Sequence, residues 1–536
     1  MTLAELRPLG TPDEPAPETD AHREARTGLR HQGMAIAVVL GIMLCLLMGA
    51  LDNFVVLTAL PQILSGLRAP SGGETFVVSA YLISSTVAIP IFAKLSDLMD
   101  RKRILLVGLV IFIGGSILSG ISQTFNELVF FRAVQGFGSG DFFPVGLSIV
   151  AVIFPPETRA RVTGLLSGVF GIATVAGPLI GAAIVSFTTW RWVFYVNIPV
   201  GLLGLVLLLV ALGPIRPEKK GSFDIPGAAL LSTWVGSLMF ALIEVSEGGW
   251  AWTDPRVLGL LASALGLVGL FIWWETSRAR DPLVPLRLFS RRIVSACGGT
   301  TFIIGLVVFP LATFLTVYIT YVTFAGMGHP SDTIRDVLYF LVIPLVFGAA
   351  IGGNLLTRVA YRPVVVAGLA ISLVGLFLLT RVGVSTPTWK FAFGFLPSGG
   401  LVAPLIPVGF GVGMTFPVFL LAVQNQVPEA EVGAASGLVQ FLQSLGGSIG
   451  LTVLSSLQQS RFTALSPAPP AGGCAGPPPP SAACIAYGQG VLNATAASFV
   501  DIFEIVLALT VIGLLLSLFI SGRLPKGVKP MGDGPA

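Results

Sequence analysis

The sequence predicts an all-α polytopic membrane protein: two six-helix bundles related by a parallel pseudo-repeat, with two further helices inserted between them, fourteen transmembrane helices in all. Three observations predict it. The chain holds fourteen apolar runs, its basic residues sort to alternate loops, and its glycine-rich motifs recur eight spans apart.

Of the 536 residues, 54% are hydrophobic and 11% charged, with a mean hydropathy of +0.87. Soluble domains carry about 25% charged residues, so water is not the main solvent of this chain. A net charge of +4 is too small to imply a nucleic-acid partner. Residues 1–33 mix Asp, Glu, Pro and Arg ahead of any apolar run, which excludes a signal peptide and reads as a solvated tail.

A bilayer span needs roughly 20 mostly apolar residues. Runs of that kind lie at 34–62, 75–95, 104–122, 125–153, 162–187, 192–213, 225–245, 256–275, 293–324, 334–357, 363–382, 398–423, 433–457 and 497–521. The expected organisation is an N-terminal tail, a bundle at 34–213, two linker helices within 214–290, a second bundle at 291–521 with a long loop at 459–496, and a tail at 522–536. Of the 31 Lys and Arg, 23 fall on the side of both termini, seven on the other, and Arg132 within a span. Basic loops stay cytoplasmic, so both termini are expected inside a plasma or inner membrane. Cys45 and Cys297 lie in apolar runs and read as packing residues. Cys474 and Cys484 lie in the outer Pro/Gly/Ala-rich loop, where a disulfide is open to them in an oxidising compartment.

Residues 135–145, QGFGSGDFFPV, match residues 408–418, VGFGVGMTFPV, at seven of eleven positions. Gly168, Gly177 and Gly181 in span five share the spacing of Gly437, Gly446 and Gly450 in span thirteen, and a weaker pair relates Gly108 to Gly368. Span four therefore matches span twelve and span five matches thirteen, which leaves spans seven and eight as the insertion. An even offset makes the halves parallel across the membrane, the geometry of transporters whose halves rock about a central site.

These segments carry a resemblance. LDNFVVLTALP (51–61), AKLSDLMDRKR (93–103), RAVQGFGSG (132–140), GIATVAGPLIG (171–181) and WRWVFYVNIPVG (190–201) together resemble the major facilitator superfamily, in its 14-helix drug:proton antiporter branch, over 34–521. Ala93, Asp100, Phe54 and Leu57 depart from the usual residues of these motifs. The resemblance implies a proton-driven exporter of lipophilic small molecules, monomeric, without a cofactor and without enzyme activity. It also implies that Asp97 and Arg101, with Lys102 in the same loop, clasp the two halves, and that Gly171, Gly177, Pro178 and Gly181 form the antiporter motif. Export of one metabolite or lipid is the alternative, and a receptor or scaffold on this fold a remote one.

An acid inside a span costs about 2.5–3.5 kcal/mol on insertion scales and marks a functional site by default. Asp52 is the first such residue. At 1.5 Å per residue, Arg132 lies at a depth close to that of Asp52, and the two are expected to pair, with Arg132 setting the proton affinity of Asp52. Asp141 is the second buried acid and a further proton-coupling residue. Its repeat counterpart is Met414 and that of Arg132 is Leu405, so the fold demands neither charge. Cavity-lining groups are expected at Tyr81, Ser85, Gln135, Tyr318, Gln440 and Gln443; the last two are three residues apart and share a helix face. Gly138–Asp141 also spells GxGD, similar to intramembrane aspartyl proteases, but the Tyr-Asp pair of such enzymes does not occur. No GxxxxGK[ST] phosphate loop, no TVGYG filter and no metal-ligand cluster are present, and His22, His31 and His329 fall outside the spans.

Overall fold

Helices stand at each expected span. A computed structural model describes residues 32–69, 73–216, 221–246, 250–284, 286–318, 330–356, 358–383, 390–392, 396–399, 402–425, 427, 432–470 and 482–522. In chain order they form α1 (Gln32–Gly66), α2 (Gly73–Leu98), α3 (Arg101–Ile121), α4 (Phe125–Ser139), α5 (Phe142–Ile153), α6 (Pro156–Phe187), α7 (Trp192–Tyr195) and α8 (Asn197–Ala211). The inserted pair is α9 (Ile225–Ser246) and α10 (Pro255–Ser277). Then follow α11 (Arg292–Tyr318), α12 (Pro330–Leu355), α13 (Tyr361–Leu379), α14 (Leu405–Gln424), α15 (Val432–Leu465) and α16 (Ala482–Ser517). Among the described residues, 11 stretches are long and apolar enough to cross a membrane. We call the side bearing Arg101 and Lys102 the basic face.

The sequence explains the local boundaries. Asp100 caps α3, its carboxylate accepting from Lys102 N at 3.0 Å. Thr124 and Glu127 form a reciprocal capping box at the start of α4. Span four is not one helix: α4 ends at Ser139 and α5 begins at Phe142, the break falling at Gly140 and Asp141. Pro144 then sits in the first turn of α5, where its missing N–H costs nothing. Span six likewise divides at Val196.

Three expectations are corrected. The connection before span twelve contains a two-stranded antiparallel ribbon, β1 (Lys390–Ala392) with β2 (Leu396–Gly399), so α14 starts at Leu405 rather than 398; the alternation of aromatics with Gly in that stretch suits a hairpin. The loop expected at 459–496 is largely helical, because α15 continues to Leu465 and α16 begins at Ala482. Polar pairs join these extensions: Arg461 Nε to Asp501 at 2.8 Å, and Gln458 to Ser498 at 2.9 Å. Finally, Gly177 and Pro178 predict an interruption of span five, yet α6 runs unbroken through them.

The repeated glycines seat helix on helix. In lipid there is little hydrophobic drive between helices, and close backbone approach is what packs them. In the first half, a Cβ at Gly136 would strike the carbonyl of Tyr81 on α2, and one at Gly138 would come within 2.7 Å of Gly108 O on α3. In the second half, Gly409 faces Leu341 O on α12, and Gly411 faces Gly368 O on α13. The two halves thus use one packing scheme. They meet by a second shared scheme: Gly164 and Gly168 of α6 lie against Ala349 and Val346 of α12, while Gly433 and Gly437 of α15 lie against Ala93 of α2. Inserted α9 packs on this α2–α15 seam, with the Trp234 and Phe441 rings 6.3 Å apart edge to face.

Gly138→Val is expected to lower thermal stability in detergent by about 1–3 kcal/mol through overpacking. Gly114, with no atom within 4 Å of its would-be Cβ, is the control: Gly114→Val leaves the melting temperature where it was. Equal melting of the two variants would contradict the packing argument.

Candidate functional site

Asp52 projects from α1 into a cage built from four other helices. Arg132 and Gln135 stand one turn apart on α4, on one face. An Arg132 Nη1 donates to Asp52 Oδ2 and also to Gln135 Oε1 at 2.9 Å. Gln135 Nε2 donates to Asp52 Oδ1 at 2.8 Å, and Asn197 Nδ2, at the start of α8, donates to the same oxygen at 2.8 Å. Ser116 of α3 accepts from both amides, at 3.1 and 3.0 Å, and passes its own proton to Phe194 O at 2.8 Å. Each member is excluded from solvent, with Asp52 1% and Arg132 0% exposed. Moving two ions out of water costs several kcal/mol each, and only close pairing with further hydrogen bonds repays it. The amides and the serine supply those bonds.

Tyr81 of α2 links this cage to the central cavity. The Arg132 guanidinium carbon lies 4.3 Å from the Tyr81 ring centroid, a cation–π distance. Tyr81 Oη donates to Gly49 O at 2.9 Å. Tyr81 and Gly49 both line a cavity of about 100 Å³, together with Ser85, the α4–α5 break at Ser139 and Gly140, and Gln440 and Ser444 of α15. Sites for drug-sized ligands occupy about 300–1,000 Å³, so this cavity is contracted. The walls come from both halves, and Thr86 Oγ1 and Ser444 Oγ meet across them at 2.7 Å.

On the basic face, Asp97 at the end of α2 reaches the other half. It accepts from the backbone N–H groups of Gly433, at 3.0 Å, and Ala434, at 2.7 Å. These are orphan donors of the first turn of α15, so the carboxylate caps a helix of the opposite bundle with the favourable sign of its dipole. Arg101 holds Asp97 in place, donating to Oδ1 at 3.3 Å and to Ser96 O at 3.3 Å. Lys102 does something else: its Nζ donates to Leu209 O and Leu212 O, closing the C-terminus of α8 within its own half. The two departures from the loop motif have partners. Ala93 is accommodated by Gly437 opposite it, and Asp100 accepts from Ile215 N at 3.0 Å, pinning the chain that leaves α8.

The family model of the Major Facilitator Superfamily matches residues 42–451. The chain belongs to this superfamily. Its members are transporters, and this chain is a multi-pass membrane transporter of that fold. It is 32% identical to Multidrug resistance protein 3 of Bacillus subtilis over 428 residues, 80% of each chain. It is 31% identical over 461 residues to the Tetracenomycin C resistance and export protein of Streptomyces glaucescens, covering 84% of this chain and 81% of that one. Among solved structures, the human organic anion transporter MFSD10 superposes with a TM-score of 0.57 at 15% identity, covering 92% of this chain and 99% of that one. The proton:xylose symporter XylE superposes at 0.59 and 13%, covering 92% and 96%; at such identities the likeness is one of fold.

Within this transporter fold the expected site residues separate. Asp52 and Arg132 meet; Asp141 does not join them. It sits at the head of α5 with its carboxyl turned against Gly108 of α3. Tyr81, Ser85 and Gln440 line the cavity, whereas Gln135 belongs to the Asp52 cage. Tyr318 is a correction: its ring packs 5.8 Å from Phe499 and 6.3 Å from Phe503, in the core between α11 and α16. Gln443 is another: it is not part of the cavity wall, where Ser444 stands beside Gln440, and its backbone carbonyl lies against Gly305 of α11. Gly177 and Gly181 are buried; the side-chain surroundings of Gly171 and Pro178 lie outside the described residues. Cys484 is disulfide-bonded and Cys45 and Cys297 are free; Cys474 lies outside the described residues. Ser116 and Asn197 were missed, although Asn197 stands inside the WRWVFYVNIPVG motif.

Proposed function

We propose that this transporter exports lipophilic small molecules in exchange for protons, by alternating access through the cavity between its halves. The observation that carries the reading is the Asp52–Arg132 ion pair, sealed from solvent one side chain behind the cavity wall. When Asp52 is ionised it holds Arg132. A proton on Asp52 dissolves the pair and frees a guanidinium that rests on Tyr81, a wall residue. Cargo pressing on Tyr81 acts back on Asp52 through the same contact. Two ligands coupled in this way must disfavour each other by equal amounts, which is the requirement for exchange. The membrane potential adds about 2.3 kcal/mol per charge per 100 mV.

A wall of Tyr81, Phe142, Phe143 and Ile89 with few polar groups suits apolar cargo, and relatives named for multidrug resistance and for tetracenomycin C resistance and export favour the same reading. The bias of basic residues orients the basic face toward the cytoplasm, with both termini there and the protein in the plasma membrane. The chain works as a monomer, with protons as its energy source.

Reconstituted protein under an imposed pH gradient tests this, with ethidium, tetraphenylphosphonium and neutral lipophilic drugs as cargo and an interior pH dye as the second readout. Wild type is expected to accumulate cargo uphill with matching proton flux, and Asp52→Asn to permit only downhill movement. Uphill accumulation by Asp52→Asn at the original proton ratio would sink the assignment. Transport confined to one compound would favour a dedicated metabolite or lipid exporter.

A further inference from the structure

Asp141 is fully buried; the backbone of Gly108 is the nearest polar group to its carboxyl, and neither oxygen makes a well-formed hydrogen bond or meets a side-chain partner among the described residues. It occupies the N-cap position of α5 yet makes no capping bond, so the ordinary structural role of an Asp at a helix start is absent. Its carboxyl rests on the backbone of Gly108, on the side where a Cβ would project. Phe142 follows Asp141 in the chain, its ring 5.4 Å from that of Phe112, one turn beyond Gly108 on α3. The Cys45 thiol of α1 is within electrostatic reach. Ala88 and the Ser85 carbonyl of α2 flank the adjacent Gly140, and Gln440 and Ser444 of α15 are neutral. Among the described residues, no cation answers it.

The second half shows what this seat is for structurally. Gly368, counterpart of Gly108, has the Cβ of Met414 3.2 Å from its own would-be Cβ. Met414 is the counterpart of Asp141 and is buried. In the second half the space over the glycine is thus closed by Gly411 O, Thr415 and the stem of Met414, with no charge among them. A carboxyl in that seat is an addition to the scaffold rather than a part of it.

An ionised carboxylate with no cation and no side-chain donor beside it is costly in such a setting, and neutralisation is the ordinary relief. A metal ion is a poor alternative, since hard cations take six or more oxygen ligands and the seat offers one carboxyl. The remaining occupant is a proton. Its route is short, because Ser139, Gly140 and Phe142, the residues on either side of Asp141, line the central cavity. Moreover α5 packs against both α3 and α15 of the other half, so the Gly108 seat adjoins the seam at which the halves rock.

We propose that Asp141 is a second proton-binding site of the transport cycle. It keeps its proton on the Gly108 seat while the basic-face clasp is closed and releases it to the cavity when the halves part at the α5–α15 contact. This rests on the exporter reading above and deepens it: Asp52 couples through an ion pair, Asp141 through burial alone, and the two add to the proton count.

The test compares wild type, Asp141→Met and Asp141→Asn in liposomes, with ethidium and tetraphenylphosphonium as cargo at a series of imposed pH gradients. Each coupled proton contributes about tenfold in limiting accumulation per pH unit. Asp141→Met, which copies the second half, is expected to fold and to lose one such factor of ten. An unchanged slope in Asp141→Met overturns the proposal. Infrared spectroscopy supplies a readout independent of activity: in difference spectra against Asp141→Met at neutral pH, in which other buried acids such as Glu275 cancel, the C=O stretch of a protonated carboxylic acid is expected for wild type and for Asp52→Asn and is lost with Asp141. If that variant moves no cargo, the band decides, its loss supporting the assignment and its persistence overturning it. A wild type that moves no cargo at all sinks the exporter reading, and the infrared band then judges the proton on Asp141 separately.

Discussion

Arg132→Leu is expected to destabilise the protein by about 3–5 kcal/mol and to abolish uphill transport, whereas Asp52→Asn combined with Arg132→Leu restores the stability without the transport. The single change leaves Asp52 with Gln135 and Asn197 on Oδ1 but no donor on Oδ2, an uncompensated charge in a closed cage. The helix itself accepts the leucine: Leu405, at the matching position of α14, is fully buried. Removing both charges removes the desolvation cost along with the attraction, and such replacements are often neutral or stabilising. Thermal melting of the four proteins of the cycle gives the coupling energy directly, and accumulation of cargo under a pH gradient gives the function. Uphill transport by the doubly neutral protein would show that the pair is structural only.

The charges were legible in the sequence because lipid makes them conspicuous. Asp52 and Arg132 each bear an insertion penalty, and helical rise alone puts them at similar depth. The repeat was legible for a related reason, since backbone contact between helices admits glycine and little else, and that requirement recurs in both halves at Gly136 and Gly409. Ser116 and Asn197 carry no such penalty. A neutral hydroxyl or amide in a span reads as packing, and only the folded cage shows both of them serving the Asp52 carboxylate.

Direction was the other quantity hidden from a linear pattern. Gln135 lies on the expected helix, yet it turns into the ion cage rather than the cavity, because the rotation of α4 is set by Gly136 against α2. The ends of helices were misjudged where hydropathy was the guide. α15 continues past its apolar stretch, where Arg461 and Asp501 pair, and span four breaks where Gly140 and Asp141 interrupt a run whose length and hydropathy read as one span.

Asp97→Ala is expected to shift the transporter toward opening on the basic face. One charge-assisted bond left unreplaced is worth about 1.5–3 kcal/mol, a change of about 10–150-fold in the open-to-closed ratio; Asp97 makes two, to Gly433 and Ala434. Spin labels at Met99, 48% exposed, and at exposed Arg362 report the separation of the halves by electron–electron resonance. A longer-distance population is expected in Asp97→Ala and a smaller one in Arg101→Ala, since Arg101 only steadies the carboxylate. Lys102→Ala should behave differently from both. Its ammonium binds carbonyls of α8 inside one half, so its loss is expected to lower the melting temperature while the label distances stay put. If Lys102→Ala separates the halves as Asp97→Ala does, the loop acts as a general electrostatic patch rather than through a carboxylate seated on one helix end.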